Sequence, residues 1–188
     1  MRLAPIERPD SLKLRIAYWL SRRQLGGVMS PLKVIYARAP HVSGTSVAIY
    51  RAMRKLSLDP ALRLLVTTQA SLLNGCGFCA DLHRAEAIQA KLGRERFRDL
   101  QDFAQSPHFS ERERAALAYT EEVTRSRKAS DATFERLRAH FSEREIVELT
   151  WLNAVGNFYN LMAVPLELES DGFEEIALRR SQAKLAAG

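Results

Sequence analysis

The sequence predicts an all-α fold, and three observations carry that reading. Apolar residues recur at three- and four-residue spacing through most of the chain. Strand-like alternation flanked by turn pairs is missing. Ser, Asp and Pro precede the periodic segments and Gly follows them, the punctuation of helices. The chain has 188 residues, 46% hydrophobic and 27% charged, which suits one domain with a full core, here residues 1–188.

Taken in order, Ser11 caps a helix from Leu12 to about Arg23, and Gly26-Gly27 ends it. Pro31 opens a short helix toward Arg38, and Pro40 stops it. A helix from Gly44 to Leu56, with Ser43 as its cap, carries Val47, Tyr50 and Met53 at helical spacing. Asp59 caps the next helix with Pro60 at its first position, and Asn74-Gly75 breaks it after Leu73. A new helix starts near Cys76 and runs to Lys91, with Gly93 as its stop. Arg94 to Gln105 is short and amphipathic.

Ser110 and Ser142 each open a Ser-Glu-Arg-Glu capping box, closed by Glu113 and Glu145. The first box starts a helix to about Arg125. The second starts one carrying Ile146, Leu149, Leu152 and Val155 before Gly156. Between them, Ser130 or Asp131 caps a helix to about His140. The repeated box, and a long apolar helix leading to Asn74-Gly75 in one half and Gly156-Asn157 in the other, read as two related helical hairpins with the chemistry kept in one. Trp151, Phe158 and Tyr159 read as core or subunit interface. After Gly172 a short amphipathic helix or frayed end closes the chain.

The net charge of +6 resides in the N-terminal arm, where residues 1–40 hold eight basic side chains against two acidic ones and the remainder is balanced. Without a nucleic-acid-binding motif, the arm reads as a solvated face or a subunit contact. No apolar run approaches the ~20 residues of a membrane span, and the start does not read as a secretory signal. The expected location is the cytoplasm, with no nucleic-acid or membrane partner.

The only two cysteines form one C-x-x-C, followed four residues later by a histidine: Cys76-Gly77-Phe78-Cys79-Ala80-Asp81-Leu82-His83. On a helix, residues three and four apart share a face, so Cys76, Cys79 and His83 form one stripe. The thiolate is the reactive form, and an unperturbed thiol titrates near ~8.5. A position in the first helical turn favours the anion, and His83 can take the proton or pair with the thiolate. Gly75 and Gly77 leave the approach open. In a reducing compartment such a pair is redox-active or metal-binding more often than structural. Half a zinc site and two plain core cysteines are the alternative readings, and no second ligand pair supports zinc. Asp81 and Glu86 flank the site. Glu86 can orient the His83 ring or simply be solvated. Nucleotide-binding glycine motifs and a G-x-S-x-G elbow are missing.

An apolar helix followed by Asn74-Gly75-Cys76-x-x-Cys79-x-x-x-His83 and a second helix ending at Gly93 resembles the carboxymuconolactone decarboxylase-like family, and most of all its alkyl hydroperoxidase D branch. The resemblance covers residues 44–125 well, with 126–188 a second helical half. It implies an all-helical homo-oligomer, a dimer, trimer or hexamer. It also implies thiol-dependent peroxidase or antioxidant chemistry without metal or organic cofactor. By that likeness Cys79 attacks the hydroperoxide and becomes a sulfenic acid, Cys76 resolves it as an intramolecular disulfide, and His83 serves the proton relay. A lipoyl group or thioredoxin-like dithiol then reduces the enzyme. Peroxidatic members carry a relay glutamate twelve residues before the first cysteine, where this chain has Leu64, and a histidine between the cysteines, where it has Phe78. Gln69, Asp81, Glu145 or Glu148 are the candidates to substitute. The expectation is a weak peroxidase, with a disulfide reductase or redox adaptor, or a non-enzymatic oligomeric member, as the alternatives.

Overall fold

The computed structural model describes residues 1–186, and all regular structure among them is helical. Helix α1 (Leu12–Leu25) ends at Gly26, whose positive φ of 92° lets its N–H return to the Arg22 carbonyl. A π-helical turn follows at Leu32–Tyr36, with the Ala37 N–H reaching the Leu32 carbonyl. The short helix ends at Tyr36, ahead of Pro40 as expected, and Pro40 also opens the next element. It starts a 3₁₀ turn, Pro40–Val42, that leads straight into α2 (Ser43–Met53), because proline lacks the N–H that a first-turn position would waste. Ser43 is therefore the first residue of α2 rather than its cap.

Helix α3 (Pro60–Leu73) begins at Asp59, whose carboxylate accepts from the Ala61 and Leu62 N–H groups. Helix α4 (Gly77–Gln89) follows after three residues, so the two form a helical hairpin. The left-handed turn at its end falls on Lys91 as well as on Gly93. Helix α5 (Arg94–Arg98) and a 3₁₀ turn (Asp99–Asp102) complete the amphipathic segment. Both capping boxes form, at the starts of α6 (Glu111–Ser126) and α8 (Glu143–Ala163). Ser130, not Asp131, caps α7 (Asp131–Arg138).

The largest departure from expectation is α8. It does not break at Gly156-Asn157 but runs for 21 residues to Ala163. Gly156 is buried against α3, where a Cβ would meet the Ala70 Cβ at 3.4 Å. A glycine that permits close approach of two backbones leaves the same local signal as one that ends a helix. Helix α9 (Phe173–Ala186) is well formed and lies along α4.

Helix α3 is central and packs on α4, α6 and α8. One core joins Leu62 and Val66 to Ala116, Leu137, Leu149 and Leu152. A second joins Leu65 and Ala87 to Phe97, Leu100 and Leu117. A third surrounds the cysteines with Val34, Phe78, Ala85, Leu168 and Phe173. The basic arm is partly tied down within the chain. Arg2 pairs with Glu167 at 2.9 Å, Lys33 with Glu7 at 3.4 Å, and Arg38 donates to the Ala4 and Val34 carbonyls.

Candidate active site: the dithiol turn

The hairpin turn between α3 and α4 sets the site. At its start Asn74 ends α3, and Gly75 takes a positive φ of 68° that a side chain would strain. The Cys76 N–H then donates back to the Ser71 carbonyl at 2.8 Å. Cys76 becomes the N-cap of α4, its sulfur accepting from the Cys79 N–H at 3.3 Å. Cys76 and Cys79 are joined as a disulfide, with 5.3 Å between their Cα atoms. Both are buried. Space is open where a Cβ would stand on Gly75 or Gly77. A cleft of about 450 Å³ reaches this turn, lined by Gly75, Gly77, Val164, Leu168, Glu167 and Glu169. A smaller notch among Arg84, Phe97 and Glu174, of about 10 Å³, has room for no more than a water molecule.

His83 stands one turn after Cys79 on α4. Its Nδ1 is buried and has no hydrogen-bond partner, and burial lowers the imidazole to about 4. The ring is therefore neutral at neutral pH. In this disulfide state it can accept a proton in transit. Glu86 is three residues on, within the same stripe, because Cys79, His83 and Glu86 fall within about 60° around a helix of 100° per residue. Desolvation by the surrounding protein raises its carboxyl to about 7, and its access to solvent opposes that rise.

Gln69 is 2% exposed, and its Oε1 has no partner. Leu65 on α3 and Ala87 on α4 share a core. In an antiparallel hairpin, one turn along α3 from Leu65 and one turn back along α4 from Ala87 bring Gln69 and His83 to the same level. Asp81 is engaged elsewhere. Its two carboxylate oxygens accept the Phe173 and Glu174 N–H groups at 2.9 and 2.8 Å, capping α9. Glu145 and Glu148 do not approach the site. Glu145 closes its capping box and pairs with Arg112. Glu148 accepts from Ser57, just before α3, so it lies about 20 Å along that helix from the cysteines. Among the described residues no three His, Cys, Asp or Glu side chains converge as a metal-ligand set.

One group of residues escaped the sequence reading. Asn153, Asn157 and Asn160 occupy one face of α8 and meet the turn at Asn74. The Asn74 Nδ2 donates to Asn157 Oδ1 at 2.9 Å, and the Asn74 and Asn160 side-chain amides meet at 2.9 Å. In the amide orientation that satisfies both ends, Asn160 Nδ2 donates to the Ala70 and Gly156 carbonyls at 3.2 Å each, and its Oδ1 accepts from Ser71 Oγ at 3.2 Å. Asn157 Nδ2 donates to Asn153 Oδ1 at 3.0 Å, and Thr124 Oγ1 donates to that same oxygen at 3.0 Å. The signal available in the sequence was three asparagines at helical spacing on an otherwise apolar helix.

Comparisons with known proteins agree with this geometry. The model of the carboxymuconolactone decarboxylase family matches residues 45–122. The uncharacterized protein YnjA of Escherichia coli K12 is 32% identical over 184 residues, covering 96% of this chain and all of YnjA. A solved structure from Agrobacterium tumefaciens, ATU0492, described as a protein of unknown function and putative antioxidant defence protein AhpD, is 32% identical. It covers 73% of this chain and 96% of its own, with a TM-score of 0.69. An uncharacterized peroxidase-related protein from Silicibacter sp. TM1040 shares the fold, with a TM-score of 0.80, 22% identity and coverage of 92% and 93%. The all-helical architecture, the dithiol turn and these relatives lead to one conclusion: the chain belongs to the carboxymuconolactone decarboxylase-like family, in its alkyl hydroperoxidase D branch.

Proposed function

We propose that this protein is a thiol-dependent oxidoreductase of the peroxidase type, cycling Cys76 and Cys79 between dithiol and disulfide. The observation that carries the reading is the Cys76–Cys79 bond at the first turn of α4, beside an open cleft lined by the adjacent Gly75 and Gly77. In the first step the Cys79 thiolate attacks a hydroperoxide oxygen. The S–O bond forms as the O–O bond breaks, and the leaving alkoxide takes a proton to become an alcohol. The Cys76 sulfur then attacks the sulfenic sulfur, forming the S–S bond and releasing water. A dithiol donor, a lipoyl group or a thioredoxin-like protein, restores both thiols by exchange. His83, one turn from Cys79, passes the thiol proton. Glu86, three residues on from His83 and open to solvent, is the carboxylate on that stripe placed to exchange the proton with water.

The test is consumption of an alkyl hydroperoxide with a dithiol reductant. Wild type should turn over, and Cys79→Ser should lose at least ~100-fold. Equal rates would reject the reading. A second reading, disulfide exchange with a partner protein, draws support from Leu64 and from the neutral His83. Thiol exchange needs a thiolate leaving group but no proton delivery to oxygen. It predicts a mixed disulfide trapped by Cys76→Ser or Cys79→Ser and little peroxide turnover.

The same proposal includes a homo-oligomer. Val147, Trp151, Ala154, Phe158 and Leu161 alternate at four- and three-residue spacing along α8, the spacing of a coiled-coil seam. Val147 and Leu161 are 67% and 68% exposed. Helix α2 has no buried residue and exposes Val47 and Tyr50. Light scattering should give a mass above that of one chain, and Leu161→Glu should lower it.

A further inference from the structure

We infer that Asn74, held by Asn157 and Asn160, is a positioning residue that sets the balance between dithiol and disulfide at Cys76 and Cys79. The dithiol turn is moored on two sides. On one side the Cys76 N–H is fixed to the Ser71 carbonyl at 2.8 Å. On the other, two residues before Cys76, the Asn74 side chain donates to Asn157 Oδ1 and meets the Asn160 amide, each at 2.9 Å. The two moorings share a member, because Asn160 reaches Ser71 Oγ as well as Asn74. Asn160 is 1% exposed and Asn153 is 1% exposed, so water does not readily replace these bonds.

Closing a disulfide requires the two sulfurs to move from contact to bonding distance with a restricted dihedral. A turn already held with its Cα atoms 5.3 Å apart has lost that freedom before the bond forms. The mooring contacts no sulfur. It acts through the backbone of Asn74, Gly75 and Cys76. Loosening it frees the reduced turn and so disfavours ring closure. The inference rests only on the part of the proposed function in which the two cysteines interconvert, and it is silent on whether peroxide is the oxidant.

The measurement is the equilibrium of the full-length protein with reduced and oxidised dithiothreitol, read by alkylation and gel shift. In that reaction the protein S–S bond breaks, the dithiothreitol S–S bond forms, and two protons pass to the protein thiols. Asn74→Ala, Asn157→Ala and Asn160→Ala should shift the equilibrium toward the dithiol by roughly 3- to 10-fold. Thr120→Ala, a buried hydroxyl bonded only to its own helix, is the control for general destabilisation and should shift it less than 2-fold. If Asn74→Ala does not fold, the two α8 variants carry the test. Equilibria within 2-fold of wild type in the folded asparagine variants would overturn the inference. So would an equal shift in Thr120→Ala. Loss of peroxide turnover in wild type, with the asparagine shift intact, would reject the peroxidase reading and leave this one standing.

Discussion

The two halves of the molecule begin alike and end differently. In the first, α3 stops at Asn74, the chain turns over Gly75, and α4 restarts on the cysteines. In the second, α8 carries Gly156 and Asn157 through without interruption. The first half spends its glycine on a left-handed turn and the second on a close helix contact. The polar side chains follow suit. Asn74 belongs to the half with the sulfurs, whereas Asn153, Asn157 and Asn160 belong to the half without them and reach across to hold it. The lesson is a division of labour: the intact helix has become the support for the broken one.

The largest test of that division is substitution in matched places. Cys79→Ser should reduce turnover by at least ~100-fold, whereas Thr150→Ala on α8 should leave it within 2-fold, both read by hydroperoxide consumption. Next, Gly156→Leu should drive a side chain between α3 and α8 and cost about 1–3 kcal/mol by denaturant unfolding. Gly156→Ala should stay within about 1 kcal/mol, because its Cβ meets Ala70 and Thr67 no closer than 3.4 Å and gains helix propensity. Asp81→Ala removes both acceptors at the start of α9 and should cost about 1–2 kcal/mol, with faster amide exchange in that helix and little change in α6.

The smallest effect is in pH. His83 titrates at about 4 when folded and near 6.5 when unfolded, so the unfolded chain binds the extra proton between those values. His83 alone should therefore lower folding stability as pH drops from 6.5 to 4, but the raised Glu86 carboxyl binds its proton more readily in the folded chain and acts in the opposite direction, so the net change in Tm should be small. His83→Gln should remove the first of these contributions, so that its Tm gains on that of wild type as pH drops.

Much of this was legible from local pattern. Asp59, Ser110 and Ser142 cap where their spacing predicts, because a cap is settled within four residues. The Cys76–Cys79 contact is local in the same way, and His83 follows one turn after Cys79 on α4. What failed depended on partners far along the chain. The Gly156 signal admits two outcomes, and packing chose between them. Asp81 looked like a flanking acid until α9 arrived to be capped. The neutrality of His83 comes from burial, which no spacing encodes. Glu148 sits on the right helix at the wrong end, held by Ser57.

The contact between Gly156 and Ala70 has one further consequence. Where two helices meet through long side chains, rotamer changes can absorb a shift of an ångström or so. Here a bare backbone meets the Ala70 methyl and the backbone of Thr67, groups with no rotamer to yield, so the spacing of α3 and α8 behaves as a hard stop. Pressure or cooling should compress the surrounding cores well before it alters this distance, making the junction beneath the sulfurs a fixed gauge in a softer body.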